Sequence, residues 1–386
     1  MANQIEIAGG PHDRRNCPVT AEMPAAIAKK ALRVVRMTSE NSGVDILGQA
    51  VLPEGSDSSA VSCIIPHMLA GETLTLNVEP SDAPQDAGVE MIDDGQGKVK
   101  ISVDGVHFTT YHYGDDWARP FFHPVVGPYG ASVTRGFPVE PRTGEHEDHH
   151  HHKSLYVAHG DVNGADNWSE EEGSATVKHL AFESCETGPV FGRFVARNAW
   201  LDSKGQTVMH ETRTVTIYAV PTALALMDVD VEFEATEGEV SFGDTKEGGI
   251  LSVRVATPMD ASLHGTIVQS TGATNEAETW GKRAAWCDYY GPADDGNEVG
   301  IAVMNHPSSF RYPTWWHVRN YGLMTANPFG WGDFYGTPER DGTHVLPEGE
   351  SLLFRYRVFV HPGSTQAADV GGRFMDYIHS PKASAS

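Results

Sequence analysis

The chain has 386 residues, with 28 Lys and Arg against 52 Asp and Glu and a formal net charge of -24 at pH 7. A field of that sign repels phosphate backbones and anionic headgroups, so neither nucleic-acid nor membrane partners are expected. No stretch approaches the roughly 18 uninterrupted apolar residues of a membrane span, and Met1-Ala2-Asn3-Gln4-Ile5-Glu6 is not a basic segment leading into an apolar one, so a cytoplasmic protein is expected.

Turn formers occur along the whole chain, with 40 Gly and 23 Pro, and the segments between them mostly alternate in polarity with period two. From the N-terminus, Pro24 to Leu32 reads as a helix, and Arg33 to Met37 is more strand-like. Ser81 to Gly88 is polar and turn-rich without apolar periodicity, which marks a linker between a small N-terminal β unit (1–88) and a main unit (89–386). Val99 to Asp104 and His107 to Tyr113, separated by Gly105, read as a hairpin. Strands are further expected over 192–200, 208–218, 225–233, 250–256 and 351–361, the last stopped by Pro362-Gly363. Ala367 to Ile378 reads as a short helix. Many strands, few helices and no fixed repeat imply an all-β protein, a large antiparallel β-sandwich. Cys17, Cys63, Cys185 and Cys287 are widely separated, make no C-x-x-C pair and read as free thiols.

Three stretches concentrate chemistry. Asp148-His149-His150-His151-His152-Lys153-Ser154-Leu155 lies mid-chain, leads into an apolar segment and is followed by His159-Gly160-Asp161-Val162-Asn163-Gly164. Imidazoles titrate near neutral pH and serve as acids, bases, metal ligands or hydrogen-bond partners of hydroxyls. On an extended backbone His149 and His151 share a face with His159 and Asp161, opposite His150 and His152. The second stretch, Phe242-Gly243-Asp244-Thr245-Lys246-Glu247-Gly248-Gly249, sets charges at a glycine-rich strand mouth, with Glu247 the candidate carboxylate acid or base and Lys246 or Asp244 tuning it. The third runs from Asn305 through Arg311, Trp315, Trp316, His317, Arg319 and Asn320 to Asn327 and Trp331. Aromatic faces stack on sugar rings, and arginines and amides bond to hydroxyls or carboxylates. Arg119 and His123, in Arg119-Pro120-Phe121-Phe122-His123-Pro124, project polar groups from a proline-stiffened approach. No dinucleotide fingerprint, phosphate loop, nucleophile elbow or H-E-x-x-H motif is present.

In this order the Arg119, Asp148, His159, Gly243 and Trp316 motifs resemble a bacterial family usually labelled PmoA-like and treated as a domain of unknown function, over about residues 90 to 363. Asp148, His149, His151, His152 and Lys153 match its pattern, His150 falls on a variable position, and Tyr156 stands where a tryptophan is common. Methane oxidation, which the label suggests, is not carried over to a chain without membrane spans. The resemblance implies a sugar-related role and a mutarotase-type supersandwich.

The reading that follows is a carbohydrate-processing enzyme using His/carboxylate acid–base chemistry on a sugar or glycoside, with C–O cleavage by hydrolysis or elimination, including oxidised glycosides. Catalytic roles fall to His149, His151, His159 and Glu247. Substrate contacts fall to Arg119, His123, His152, Lys153, Asp161, Asn163, Lys246, Trp316, His317, Arg319 and Asn327. The alternatives are a sugar epimerase or mutarotase, an enzyme whose His149, His151, His159 and Asp161 hold a divalent metal, and a noncatalytic sugar-binding protein.

Overall fold

The computed structural model describes residues 4–24, 34–39, 43–51, 58–81, 88–337 and 339–385. The helix expected over 24–32 lies outside these residues, except for Pro24 at the end of the Arg14–Pro24 strand, as do 82–87 of the expected linker. Among the described residues the strands form three antiparallel sheets, of seven, twelve and eight strands, and helices are few and short.

The seven-stranded sheet runs Arg14–Pro24, Ser58–Met68, Asp45–Val51, Val34–Thr38, Thr73–Pro80, Gln4–Ala8 and Lys382–Ala385. Its last strand comes round beside its first, so the sheet curls about its own apolar core of Ile5, Val19, Met37, Ile65 and Leu76. The C-terminal strand thus completes the N-terminal sheet. Gln49 ties that unit to the rest, its buried Oε1 accepting from the Val190 and Phe191 amides at 3.1 Å each.

The other two sheets form the sandwich. The eight-stranded sheet holds the long strands Phe191–Leu201, Thr207–Tyr218, Ala225–Glu234 and Ser351–Pro362, all in segments whose alternation predicts them. The hairpin of Lys98–Val103 with Val106–His112 and the helix Val370–Ile378 likewise lie where the pattern places them. In the twelve-stranded sheet the central order is Lys282–Arg283, Trp315–Val318, Leu323–Asn327, Gly248–Arg254, Leu155–Val162, Phe121–Val125 and Val106–His112.

Period-two alternation gives these central strands two different faces. Leu155, Val157, Leu251, Val253, Met324, Ala326, Trp316 and Val318 point inward and share one core with Phe194, Val215, Val229, Phe354 and Val358 of the opposing sheet. On the outer face the register lines up one row across six strands. His112 pairs with Phe121, Phe121 with Tyr156, Tyr156 with Ser252, Ser252 with Thr325 and Thr325 with His317. Arg254 and Leu323 form the next rung. This face is also buried, because the loops around Trp117, 137–154 and Trp168 fold over it.

One expectation is corrected at this point. The histidine run is not an extended strand. His149 has φ 45°, the His152 amide donates to the His149 carbonyl at 3.0 Å, and the strand starts only at Leu155. Alternation therefore does not apply across 149–154, and it places neither His152 opposite His149 nor His159 beside it.

Candidate functional site

The turn stacks rings that a strand would have separated. His149 lies parallel to His152 with centroids 4.8 Å apart, and Tyr321 lies nearly parallel to both, 5.0 Å from His149 and 6.4 Å from His152. Tyr156 continues the pillar below His152 at 6.4 Å. His152 and Tyr156 are buried, whereas His149, at 40% side-chain exposure, is the end that reaches solvent.

Beside the pillar, Asp148 organises the charges. Its Oδ1 accepts from Arg135 at 2.5 Å and from Arg254 at 2.8 Å, and its Oδ2 faces His149 Nδ1 at 3.0 Å. Burial works against a charge on Asp148, yet Arg254, His149 and Arg135 together hold its pKa below the ordinary value. Both guanidiniums are buried, and burial followed by the neighbouring Arg254 brings Arg135 down to about 10. Arg254 also donates to His152 Nδ1 at 3.2 Å and lies 4.9 Å from the Tyr321 ring centre. Burial, with adjacent cations, pushes the His152 pKa well below the usual imidazole value, so His152 is a neutral spacer.

The opposite side of the turn is an ion-pair pocket. Lys153, under the Trp117 ring, pairs with Glu170, and burial lowers its ammonium to about 8 against the pull of that carboxylate. Glu170 also faces Arg119 at 3.1 Å, and Arg119 donates to the Trp168 carbonyl at 2.8 Å. His151 sits edge-on to His152 and Trp168, and burial, then Arg119, takes its pKa down to about 3. Its Nδ1 is buried and unpartnered, as are the Tyr156 hydroxyl and both side-chain polar atoms of Asn167. Buried polar groups are normally satisfied, and each one that is not costs about 1–3 kcal/mol, so this concentration leaves several groups that could each take a hydrogen bond.

Glu247 reaches this face along another route. Gly248, at φ 110°, lets the loop press against the neighbouring strand, where a Cβ would sit 2.8 Å from the Gly160 amide nitrogen, and Gly160 N–H donates to the Glu247 carbonyl at 2.9 Å. The Glu247 carboxylate is half exposed and 3.1 Å from Lys246 Nζ. Burial raises the Tyr321 hydroxyl pKa, the nearby Arg319 and Arg254 lower it, and the charges of Glu247 and Asp148 add to the rise. His317 stands behind Glu247. Its Nδ1 donates to the Lys246 carbonyl at 2.5 Å, its Nε2 is buried without a partner, and burial lowers its pKa to about 4.

The structure thus brings together His149, His152 and Arg319 around Tyr321, with Lys246 and His317 beside Glu247, and with His151, Arg119 and Lys153 on the other side of His152. Arg319, 5.3 Å from the Tyr321 centre, is held by Glu276 at 2.8 Å. His159 is elsewhere, fully buried against Phe242 and Phe329 with its Nε2 on the Gly243 carbonyl at 3.1 Å, and burial lowers its pKa to about 4. Trp316 faces the inner core, its Nε1 bonded to the Ala284 carbonyl at 2.9 Å. Asp161 caps its turn through the Gly164 amide at 2.9 Å, and Asn163 accepts from the Ser241 amide at 2.7 Å. Asn327 staples the loop before Glu247, donating to the Thr245 carbonyl at 2.8 Å. His123 lies further along the outer face, 3.7 Å from Glu140, and burial takes its pKa to about 3. Among the described residues no three His, Cys, Asp or Glu side chains converge as a metal-binding set, and His149, His151, His159 and Asp161 do not assemble into one.

Asp148, Arg135, Arg254, Tyr156, Glu170 and Tyr321 are residues the motif reading did not assign to the site. A charged residue closing the apolar strand Ile250 to Val253 was the visible signal for Arg254. Glu170 lay hidden in an acidic run.

Residues 98–375 match the model of a family described as a family of unknown function, DUF6807. The chain belongs to that family. The match carries no activity, and neither the PmoA-like label nor a mutarotase kinship is part of it. No curated protein matches the chain. Among solved structures, a protein in glycosyl hydrolase family 38 from Enterococcus faecalis is similar with a TM-score of 0.41 and 10% identity, over 100% of this chain and 47% of that one. An alpha-mannosidase from Enterococcus faecalis V583 gives 0.39 and 10% identity, over 100% and 46%. The chain spans just under half the length of both, and likeness at that level transfers no residue role. No helix among the described residues is long and apolar enough to cross a membrane, which says nothing of a β-barrel.

Proposed function

We propose that this member of the DUF6807 family is a carbohydrate-processing enzyme that cleaves a C–O bond of a sugar or glycoside by His/carboxylate acid–base chemistry. The observation that carries the reading is the Asp148–His149 pair at the exposed end of the ring pillar. A carboxylate on Nδ1 fixes the imidazole tautomer, leaves Nε2 to exchange a proton, and stabilises the imidazolium that forms. Asp148 is suited to the task because two buried guanidiniums keep it ionised.

Glu247 supplies the second group. In hydrolysis one of the two protonates the departing oxygen while the other activates water, and in elimination the second removes a proton from carbon instead. Tyr321 offers a ring face to the C–H face of a sugar, Arg319 and Lys246 offer donors to its hydroxyls, and the bare His317 Nε2 accepts from one. Lys153, Arg119 and His151 line the far side of the same turn. The motif resemblance to PmoA-like proteins points to the same substrate class. His159, Trp316, Asp161, Asn163 and Asn327 serve the fold in this proposal.

The test is a screen of glycosides and 3-keto glycosides with products identified by mass and NMR, for wild type and Glu247→Gln. Turnover by the wild type that falls about 100-fold in the variant is expected, the loss of one acid–base partner. Unchanged turnover in Glu247→Gln removes the carboxylate from the mechanism, and saturable sugar binding without any turnover makes the protein a binder.

A further inference from the structure

At the edge of the twelve-stranded sheet, away from the ring pillar, lies an open cleft of about 430 Å³, within the usual range for small-molecule sites. Its floor is Trp315, on the same strand face as His317 and two residues from it. Arg283, paired with Trp315 across the edge strand, lays its guanidinium over that ring at 4.5 Å. The short helix Trp331–Tyr335 forms the opposite wall. Trp331 stacks near Trp315 with centroids 6.1 Å apart, and Tyr335, one helical turn on, carries Arg340 over its face at 4.0 Å.

Three features show that this is more than surface packing. Trp315 is only 6% exposed, yet its Nε1, the one hydrogen-bonding group of the ring, is buried and has no partner. Trp331 and Tyr335, by contrast, each stand 37% exposed on the cleft wall. Two of the cations, Arg283 and Arg340, are also not neutralised by a carboxylate among the described residues, while Arg311 feels Asp244 and Asp341. Arg283 spends Nε on the Pro313 carbonyl at 2.7 Å and Nη2 on the Arg311 and Tyr312 carbonyls, leaving Nη1 without a partner among the described residues. The Arg340 guanidinium has no hydrogen bond or ion pair among the described residues. Arg311 adds a third positive charge, clamped by the Pro328 and Thr343 carbonyls at 3.1 Å each. Asp341 is the acid in the lining, and its carboxylate is turned to the Thr343 amide at 2.8 Å. In a chain of net charge -24, a cleft that collects three arginines around stacked rings selects for negative charge on a ligand with a flat apolar face.

We propose that this cleft binds a sugar acid, a uronate unit whose C–H face stacks on Trp331 and whose carboxylate is gripped by Arg340 and Arg283 Nη1, with Trp315 Nε1 donating to a ring or hydroxyl oxygen. The Arg340 guanidinium, 4.0 Å over the Tyr335 ring, keeps its donors free for a planar carboxylate with two parallel hydrogen bonds, and Arg283 adds one through Nη1. The helix wall is joined to the Glu247 loop, since the Asp333 carboxylate accepts from the Lys246 amide at 2.6 Å. The binding itself does not depend on what Glu247 does.

The experiment is calorimetric titration with digalacturonate, cellobiose and glucose 1-phosphate, on wild type, Glu247→Gln, Trp331→Ala and Arg340→Ala. Digalacturonate is expected to bind saturably and at least about 10-fold more tightly than cellobiose, the margin of one charge-assisted bidentate contact. Glu247→Gln keeps that affinity, while Trp331→Ala and Arg340→Ala each lose about 10-fold or more. In the wild type, the Trp315 indole N–H signal shifts on adding digalacturonate, a readout that needs no variant. The proposal is overturned if cellobiose binds as tightly, if glucose 1-phosphate binds and digalacturonate does not, if folded Trp331→Ala and Arg340→Ala keep full affinity, or if the Trp315 signal stays still.

Discussion

The two faces of the twelve-stranded sheet are made by the same strands and are both withdrawn from water, but they are buried in different company. On the inner face Leu251, Val253, Met324 and Trp316 meet the apolar side of the opposing sheet. On the outer face Tyr156, Ser252, Arg254, Thr325 and His317 are just as buried, under loops rather than under a sheet. An apolar face gains stability from every contact it makes. A polar face gains little, since each group trades water for an equivalent partner, and it loses where a partner is missing. The strands therefore divide their work, one side holding the sandwich together and the other holding imidazoles, guanidiniums and carboxylates in fixed positions.

That division can be broken by substitution. Trp316→Ala, on the inner face, is expected to cost about 3–5 kcal/mol of stability, measured by denaturant unfolding, with turnover of the folded protein little changed. Loss of turnover without loss of stability would undo the assignment of that face. Arg254→Met, on the outer face, leaves Asp148 to Arg135 alone and His152 Nδ1 without its donor, so a smaller loss of about 1–3 kcal/mol is expected together with a clear fall in activity. A variant as active as the wild type would show that the Asp148 cluster is only scaffolding.

Titration sharpens the same contrast, because the inner core has little to protonate beyond His159, which packs on Phe242 and Phe329. Burial depresses His151 and His123 to about 3 and His159 and His317 to about 4. The unfolded chain takes up protons near pH 6.5, so the stability these neutral rings contribute is fully present above that value. It is lost as the pH falls from about 6.5 towards the folded values. Asp230 and Asp260, raised by burial to about 6, act in the opposite sense, their contribution being present below about 3.8 and lost as the pH rises through 6. The imidazoles outnumber these carboxyls, so the melting temperature is expected to drop between pH 7 and pH 5, and a flat or rising curve would contradict the burial of the rings. The smallest effect belongs to Thr325→Val, which removes the 3.0 Å bond to Ser252 and is expected to cost about 1 kcal/mol in the same unfolding measurement. A cost several times larger would mean that this part of the polar face carries the fold.

The inner face was the legible one. Period-two alternation in Thr207–Tyr218 and Ser351–Pro362 is a local property of the chain, and it specifies both strand and buried side. The site was legible only where its residues adjoin in sequence. The histidine motif lies on the turn that carries the proposed site, but the left-handed φ of His149, which stacks it on His152 instead of opposing it, leaves no trace in polarity. The grip on Asp148 comes from Arg135 and from Arg254, 106 residues away, and such pairing is fixed by strand register, which a single sequence does not display. His159 was misplaced for the same reason, since its spacing from the run suggested a shared face until the chain turned before Leu155. Glu247 stood out as a candidate because glycines follow it, and Gly248 is what allows its loop to approach Gly160.

The claim that the polar face is catalytic, and that His149 is its acid–base group, rests most directly on His149→Asn. Asparagine tolerates the left-handed backbone of that position, and the ring it removes is half exposed, so the melting temperature should stay where it is. With kcat/KM and melting temperature measured side by side on the best substrate of the glycoside screen, kcat/KM is expected to fall about 100- to 10,000-fold at unchanged stability. Full activity in the folded variant would contradict the account.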